Sequence, residues 1–364
     1  MSNRLRWGLL GAGWIAQRFA ADLRFGTTGR VSCVAARHPE HARRLAERYG
    51  ADAVEGAAAL VSRPDVDVIY VATPAHLHME HCLLALSRGK PVLCEKPFAL
   101  DAGQARRIAE TAKAEGLFCM EAMWTRFLPA MTELRRLAGD GGLGEIRQVN
   151  ATLGFPNVES PRTATLTDPA RGGGALLDLG VYGISAVHDL LGPPQSVAAR
   201  QILSKTGSLR DVAIVMQHAT GLSTICASHA TRLSNRLEVS GTEGWAELDA
   251  PFIQAGRGSV GKVVPDRRNE TEQASRLREA LRGSRAWPMI RAAGLRLTGR
   301  SPRAIRGQFR GSGLRFQADE VAACIAAQRQ ESQIMPLAAS IAVLETVDAV
   351  RRQTACASGD EDLS

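Results

Sequence analysis

The chain has 364 residues, of which 45% are hydrophobic and 23% are charged, so we expect a folded globular protein of about two domains. Composition excludes collagen-like, coiled-coil and disordered classes, and the chain contains no run of 18 apolar residues that would predict a transmembrane helix. The net charge of +8 arises from residues 262–310, which hold 13 Lys/Arg and 4 Asp/Glu, and the balanced remainder gives no reason to expect nucleic-acid binding.

The amino-terminal residues predict a strand, a glycine turn and a helix. The strand covers residues 6–10 and the helix covers 14–25. Between them, Gly11–Ala16 (GAGWIA) matches the dinucleotide-binding pattern G-x-G-x-x-A. The first glycine permits the tight turn, the second lets a pyrophosphate approach the backbone, and the alanine lets the helix pack closely on the sheet. Because the glycines interrupt the apolar stretch, this segment does not fit a secretory signal peptide.

A second predicted strand covers residues 31–36, and the residues directly after it are those that distinguish NAD from NADP in this kind of fold. An NAD-specific site would carry Asp or Glu there to hold the ribose 2′-hydroxyl, but the chain reads Arg37-His38. The guanidinium of Arg37 could pair with a 2′-phosphate and stack on adenine. The sequence therefore favours NADP(H), with NAD(H) as the alternative.

Strands and helices continue to alternate up to about residue 125. This alternation predicts an α/β fold of the Rossmann kind, a doubly wound parallel sheet whose ligand crevice lies at the carboxyl ends of the strands. The predicted helices cover residues 39–49, 56–62, 76–88 and 101–115, and the predicted strands cover 67–72, 91–94 and 117–120.

After about residue 125, runs of alternating apolar and polar residues separated by turns predict an α+β domain with an open, mainly antiparallel sheet. The predicted strands cover 145–155, 196–204, 212–219, 222–230, 235–240 and 245–249, and the predicted helices cover 128–138, 174–191, 315–330 and 337–352. We therefore divide the chain into domains 1–124 and 125–364, and expect the first to bind NAD(P) and the second to bind substrate.

The second domain contains a basic insertion at residues 262–310. Within it, residues 276–297 form two amphipathic pieces separated by Pro288. We consider three roles for the insertion: a solvated segment, a lid over the substrate site, or a docking surface for an acidic partner or an anionic membrane.

The cysteines predict a reduced, cytoplasmic protein. Their number is odd, no C-x-x-C pair occurs, and most lie in apolar runs, so we expect core thiols rather than disulfides or a zinc site. The seven are Cys33, Cys82, Cys94, Cys119, Cys226, Cys324 and Cys356. The histidines His76, His78 and His81 lack a completing ligand and share no single helix face, so no metal site is expected.

Four stretches together resemble the Gfo/Idh/MocA oxidoreductases: the glycine turn, Thr73-Pro74, Cys94–Pro97 (CEKP) and Gly172–Tyr182 (GGGALLDLGVY). Met120–Phe127 (MEAMWTRF) is similar to the branch that holds dimeric dihydrodiol dehydrogenase and NADP-linked D-xylose dehydrogenases. The resemblance implies nicotinamide-dependent hydride transfer on a small sugar, polyol or vicinal diol. It also implies a homodimer or a higher homo-oligomer.

Three residues are candidates for catalysis: Lys96, Asp178 and Tyr182. Lys96 directly follows an apolar strand, where an ammonium is costly unless it has a partner or a function. The resemblance implies that Tyr182 exchanges the substrate proton, and we expect Lys96 to lower its pKa. Asp178 stands four residues before Tyr182, so the two would share one helix face, and we expect it to bind or orient substrate.

The other candidates follow from the crevice position and the resemblance. The residues expected to contact the cofactor are Gly11, Ala12, Gly13, Trp14, Ile15, Arg37, Thr73, Pro74, His78, Glu95 and Lys96. The residues expected to contact substrate are Trp124, Arg126, Phe127 and Asp178, since aromatic rings stack on sugar or diol faces and a guanidinium binds hydroxyls.

Two further functions remain open at this stage. The substrate could be a keto group on a nucleotide-linked sugar or a secondary metabolite, with the basic insertion holding the diphosphate. The chain could also bind a dinucleotide without catalysis, as a sensor or scaffold, although such a protein would be expected to lack Lys96 or Tyr182.

Overall fold

The computed structural model describes residues 4–156, 164–205, 207–263, 284, 287, 289 and 301–357. Its first part is a six-stranded, all-parallel sheet in the order β3-β2-β1-β4-β5-β6. Because the order reverses between β1 and β4, the crevice opens at the carboxyl ends of these strands. The strands are β1 (Leu5–Leu10), β2 (Gly29–Ala36), β3 (Asp52–Glu55), β4 (Val68–Val71), β5 (Val92–Glu95) and β6 (Cys119–Ala122).

Helices cover both faces of this sheet, and the central strands are therefore continuous apolar runs. Both β4 (VIYV) and β5 (VLCE) are fully buried. The helices are α1 (Trp14–Leu23), α2 (Pro39–Glu47), α3 (Gly56–Val61), α4 (His78–Leu86) and α5 (Ala102–Ala114), with a 3₁₀ turn at Ala75–Leu77.

The second part is built on an eight-stranded sheet in the order β14-β13-β12-β11-β7-β10-β9-β8. Only the central pair β7 and β10 is parallel, and the other neighbours are antiparallel. The strands are β7 (Ile146–Gly154), β8 (Ser196–Leu203), β9 (Leu209–Gln217), β10 (Leu222–Ser228), β11 (Leu237–Gly241), β12 (Gly244–Leu248), β13 (Arg257–Lys262) and β14 (Arg303–Arg306).

The helices of the second part connect the two sheets. The helix α8 packs on β7, while α10 packs on α5, α8 and β8. The start of α9 is held on α1 because the Asp22 carboxylate accepts hydrogen bonds from the backbone N–H groups of Ser312 and Leu314. The helices are α6 (Pro129–Gly139), α7 (Ala164–Thr167), α8 (Val181–Leu191), α9 (Arg315–Ala326) and α10 (Leu337–Ala357).

The predicted fold is confirmed, with helix and strand ends that differ by a few residues. Three strands were not predicted, namely β3, β13 and β14. They are short, and β3 and β14 expose most of their residues, so none has a strong hydrophobic alternation. The division at residue 124 remains a prediction, and α9 and α10 contact both parts.

Most of the basic insertion lies outside the described residues, so its three predicted roles stay predictions. Six cysteines are described without a disulfide, and five of them are buried. Within the described ranges, one segment, Pro169–Leu191, is long and apolar enough by composition to span a membrane. Its most apolar window is 78% buried inside the protein, which is the position of a core helix.

Candidate functional site

The turn after β1 forms a cradle at the start of α1. Gly11 has a φ of 120°, and a Cβ at this position would collide with the carbonyl oxygen of Ala72 at the end of β4. The space beside Gly13 is open, since a Cβ there would meet nothing within 4 Å. No side chain caps the first turn of α1, so its N–H groups are available to an anion. This geometry fits a dinucleotide pyrophosphate.

The other residues of the turn differ in their surroundings. Ala16 is fully buried, as the close packing of α1 on the sheet requires, while Ala12 and Ile15 are half-buried. Trp14 is 67% exposed, and the guanidinium of Arg18 lies 4.5 Å from its ring centroid. Cofactor contacts of Ala12, Trp14 and Ile15 remain predictions.

Arg37 lies just beyond the end of β2 and is exposed. Its Nε is 3.4 Å from the Nε2 of His38, and its guanidinium forms no ion pair with the described residues. The side chain is therefore accessible to a phosphate at the carboxyl edge of the sheet. Its preference for a 2′-phosphate remains a prediction.

The loops that follow β4 and β5 are joined by His78. Its Nε2 lies 2.8 Å from the Thr73 carbonyl oxygen, its Nδ1 lies 2.8 Å from the Pro97 carbonyl oxygen, and the residue is 1% exposed. Burial lowers the pKa of His78 to about 4, although the contacts with the Pro97 and Thr73 carbonyl oxygens raise it. Since a neutral ring carries one N–H, it donates to one of these two oxygens at a time. We therefore correct its expected cofactor contact to a structural one, because both ring nitrogens face the protein and hold the loop carrying Thr73 and Pro74.

Lys96 and Asp178 form an ion pair at the end of β5. The Nζ of Lys96 donates hydrogen bonds to the Asp178 carboxylate (2.8 Å) and to its peptide oxygen (2.9 Å). Burial opposes both charges, but the pair outweighs it, so the pKa of Lys96 is raised and that of Asp178 is held well below its usual range. The two side chains keep 15% and 22% of their surface exposed, which leaves the pair accessible from the crevice.

Tyr182 completes the cluster, since the Nζ of Lys96 lies 4.9 Å from the centroid of its ring. The Nε1 of Trp124 donates a hydrogen bond of 3.0 Å to the Tyr182 hydroxyl oxygen. Burial raises the pKa of Tyr182 to about 12, although Lys96 acts in the opposite direction. Lys96 therefore lowers this pKa as expected, but the net shift is upward because desolvation outweighs the nearby ammonium.

A π-helical turn, Leu176–Gly180, precedes α8 and carries Asp178. Such turns are rare and occur often at functional sites. The turn was predicted as ordinary helix, yet Asp178 and Tyr182 still come together on Lys96, as their four-residue spacing suggested.

Glu95 is buried rather than directed at the crevice. Its Oε1 accepts a hydrogen bond from the Tyr70 hydroxyl, and its Oε2 accepts one from the backbone N–H of Lys96 (3.1 Å). Burial raises the pKa of Glu95 to about 7, although the bond from Tyr70 lowers it. We correct its expected cofactor contact, because both carboxylate oxygens are bonded inside the protein and fix the backbone that presents Lys96.

Arg126 is also directed into the protein. It is 4% exposed, and its guanidinium bonds the hydroxyl and carbonyl oxygens of Ser185, the carboxylate of Asp189 and the carbonyl oxygen of Ile334. We correct the expected substrate contact, since all three nitrogens are already engaged in linking α8 to the segment before α10. Phe127 is 6% exposed, so its substrate contact remains a prediction without structural support.

His229, which directly follows β10, was not among the site residues predicted from the sequence. Its Nε2 lies 3.0 Å from the Oδ2 of Asp178, whereas Lys96 bonds the other carboxylate oxygen, Oδ1. The side chain is 9% exposed. One histidine after a strand has no distinguishing pattern, so only its position in the folded sheet could have identified it.

No group of three or more His, Cys, Asp or Glu side chains within the described ranges could hold a metal ion. His81 bonds instead to the hydroxyl of Thr73, with 3.0 Å between its Nδ1 and the Oγ1. The chemistry available here is therefore that of a lysine–aspartate pair, a tyrosine hydroxyl and a dinucleotide cradle.

Comparison with known proteins agrees with this geometry. Residues 5–123 match the family profile described as "Oxidoreductase family, NAD-binding Rossmann fold", and residues 131–247 match the "GFO/IDH/MocA C-terminal domain". The chain belongs to the Gfo/Idh/MocA oxidoreductase family. It is an NAD(P)-dependent oxidoreductase, as the glycine turn and the family resemblance predicted.

Two curated relatives match this chain over nearly its whole length. Trans-1,2-dihydrobenzene-1,2-diol dehydrogenase of Bos taurus is 32% identical over 96% of each chain. The D-xylose 1-dehydrogenase (NADP(+)) of Hypocrea jecorina is 30% identical and covers 96% of this chain and 92% of its own.

Solved structures share the fold. Aldose-aldose oxidoreductase from Caulobacter crescentus has a TM-score of 0.79 and 22% identity, over 96% of this chain and 97% of its own. KijD10, a 3-ketoreductase from Actinomadura kijaniata in complex with NADP and TDP-benzene, has a TM-score of 0.77 and 25% identity, over 96% and 98%.

Proposed function

We propose that this oxidoreductase is a cytoplasmic, NADP-dependent enzyme that transfers a hydride between nicotinamide and the hydroxyl or carbonyl carbon of a small sugar, polyol or vicinal diol. The observation that carries the proposal is the cluster of Lys96, Asp178, Tyr182 and Trp124 at the carboxyl end of β5. The substrate class is supported by the names of the full-length relatives, which are diol and D-xylose dehydrogenases.

The residues at the crevice have the shape and charge that NADP(H) requires. The open space at Gly13 and the uncapped N-terminus of α1 suit the pyrophosphate, and the exposed Arg37 suits a 2′-phosphate. When bound, NADP(H) accepts or supplies the hydride. The protein must then handle the proton of the substrate hydroxyl and the charge that develops on its oxygen.

Tyr182 is the proposed proton donor and acceptor. Because the N–H of Trp124 can only donate, it occupies a lone pair of the Tyr182 oxygen and leaves the phenolic proton free for the substrate. With a pKa of about 12, the phenol is protonated at neutral pH. This state suits proton donation to the oxygen of a carbonyl substrate during reduction.

Lys96 is the proposed electrophile. Its ammonium remains charged at neutral pH because Asp178 raises its pKa against the cost of burial. Beside the reacting oxygen, this charge stabilises a developing alkoxide. Asp178 positions the ammonium through two hydrogen bonds and keeps the pair close to neutral overall.

The test is turnover by Lys96→Met and Tyr182→Phe with NADP⁺ and a panel of diols and aldoses. Each variant should lose roughly 10²- to 10⁴-fold in kcat, the usual contribution of a positioned proton-transfer group, while NADPH binding is retained. Lys113→Met, on the exposed face of α5, and Tyr49→Phe, at the end of α2, are matched controls. Full activity of both site variants would refute the mechanism.

A second candidate is a ketoreductase acting on a nucleotide-linked sugar. It is favoured by the similarity to KijD10, whose structure contains NADP and TDP-benzene. The basic insertion at 262–310 would then bind the diphosphate. Reduction of nucleotide-linked keto sugars, with no oxidation of free diols or aldoses, would establish this alternative.

We further propose that two copies associate through the outward face of the eight-stranded sheet. Its neighbouring strands β8, β9 and β10 present Ile202, Val215 and Leu222 on this face, each about half exposed. Rows of exposed apolar residues of this kind commonly form interfaces. Light scattering should give a dimer or larger species for the wild type, and Val215→Glu should shift it toward the monomer.

A further inference from the structure

His229 brings a group from the second sheet to the catalytic pair. It follows β10, and its backbone N–H donates a hydrogen bond of 2.9 Å to the carbonyl oxygen of Arg210, which fixes its position beside β9. Its Nε2 bonds one oxygen of Asp178, while Lys96 bonds the other. Asp178 thus links the proposed electrophile to His229 through a single carboxylate.

The contact with Asp178 fixes the tautomer of the imidazole ring. Because a carboxylate only accepts, the Nε2 of His229 must carry a proton. In the neutral ring, the Nδ1 is then a lone-pair acceptor. Among the described residues, this Nδ1 makes no hydrogen bond, and the side chain is only 9% exposed. This Nδ1 is not one of the fully buried atoms without a partner in the described part of the chain, so a substrate hydroxyl could reach it through the opening.

We propose that the Nδ1 of His229 accepts a hydrogen bond from a substrate hydroxyl on the carbon next to the reacting carbinol, so that His229 selects vicinal diols and 2-hydroxy aldoses over simple alcohols. This inference rests on the proposed function, in which Lys96 and Tyr182 hold the reacting oxygen. The Nζ of Lys96 and the Nε2 of His229 lie 2.8 Å and 3.0 Å from the two oxygens of the same carboxylate, so a substrate held at Lys96 lies close to the imidazole of His229.

A hydrogen-bonding site discriminates between substrates with and without the neighbouring hydroxyl more strongly than a nonpolar pocket does. A site that is built to bond a substrate hydroxyl rejects an analogue that lacks it, because the bound analogue covers the protein acceptor and gives it no donor. A nonpolar pocket could not make this distinction, since it would accept the smaller alcohol with only a modest loss of contact. His229 is therefore a specificity residue, and Asp178 retains its positioning role.

The experiment compares substrates that differ only in the neighbouring hydroxyl. The pairs are trans-cyclohexane-1,2-diol with cyclohexanol, and D-xylose with 2-deoxy-D-xylose, each assayed with NADP⁺. The first variant is His229→Gln, whose amide can still donate to Asp178 but has no acceptor at the position of Nδ1. It should lower kcat/KM for the hydroxylated substrates by about 10- to 100-fold and leave that for the deoxy analogues within about 2-fold.

The second variant, His229→Asn, gives the reciprocal pattern. Its shorter amide reaches the position of Nδ1 but not Asp178, so it should keep the preference for the neighbouring hydroxyl and lower kcat on all substrates. Melting temperatures and NADPH affinity of both variants should match the wild type, since His229 lies outside the cofactor cradle.

The outcomes separate this inference from the proposed function. An equal loss on hydroxylated and deoxy substrates in His229→Gln, or no loss on either, would overturn the role of Nδ1 while leaving the dehydrogenase intact. If the wild type oxidises neither diols nor aldoses, the proposed function fails before any variant is made, and the inference fails with it.

Discussion

Replacing Gly13 with alanine should separate cofactor binding from folding. Gly13 has a φ of −70° and a ψ of −177°, which alanine adopts without strain, and the added Cβ would meet nothing within 4 Å. The variant should therefore fold and even gain about 0.4–1 kcal/mol through a less flexible unfolded chain. The same methyl group would occupy the space proposed for the pyrophosphate. We expect NADPH to bind roughly 10- to 100-fold more weakly, which corresponds to about 1.4–2.8 kcal/mol.

The assay pairs thermal melting with titration of NADPH by its fluorescence. Gly11→Ala provides a contrast, because its φ of 120° and the collision with Ala72 should cost at least about 1–3 kcal/mol and lower the melting temperature. Gly139→Ala, at the end of α6, has equally open surroundings, so it should raise the melting temperature by a similar amount but leave the NADPH affinity unchanged. Wild-type affinity in Gly13→Ala would show that the pyrophosphate does not lie against this glycine.

Three further predictions follow from the geometry. Arg37→Ala should weaken NADPH binding about 10-fold or more without affecting NADH binding, and Arg107→Ala, an exposed residue of α5, should affect neither. Arg126→Met should cost about 1–3 kcal/mol in urea unfolding, because the carbonyl oxygens of Ser185 and Ile334 lose their donor while Asp189 keeps its pair with Arg135. The exposed Arg136→Ala should leave stability nearly unchanged. Burial opposes ionisation of Asp178, but the neighbouring ammonium lowers its pKa, so the pair stabilises the fold above about pH 4 and this contribution is lost below it. The stability difference between wild type and Asp178→Asn should shrink as the pH falls below about 4; a difference that grows in acid would refute this reasoning.

The sequence by itself determined the features that are local in the chain. The positive φ of Gly11, the open space at Gly13 and the burial of Ala16 were implied by their spacing within one strand–turn–helix unit. The alternation of strands and helices likewise predicted both sheets, since apolar periodicity reports which face of each element is buried. Lys96 and Tyr182 were identified because each stands at the end or start of such an element.

The tertiary structure alone decided how these side chains are used. Lys96 and its partner Asp178 are separated by 82 residues in the chain, and Asp178 and its partner His229 are separated by 51. Arg126, expected to bind substrate, proved to be an internal link, and burial raised the pKa of Tyr182 that a neighbouring lysine was expected to lower. Periodicity fixes which residues are buried, but the direction of a polar side chain and the cost of its desolvation depend on packing between distant segments.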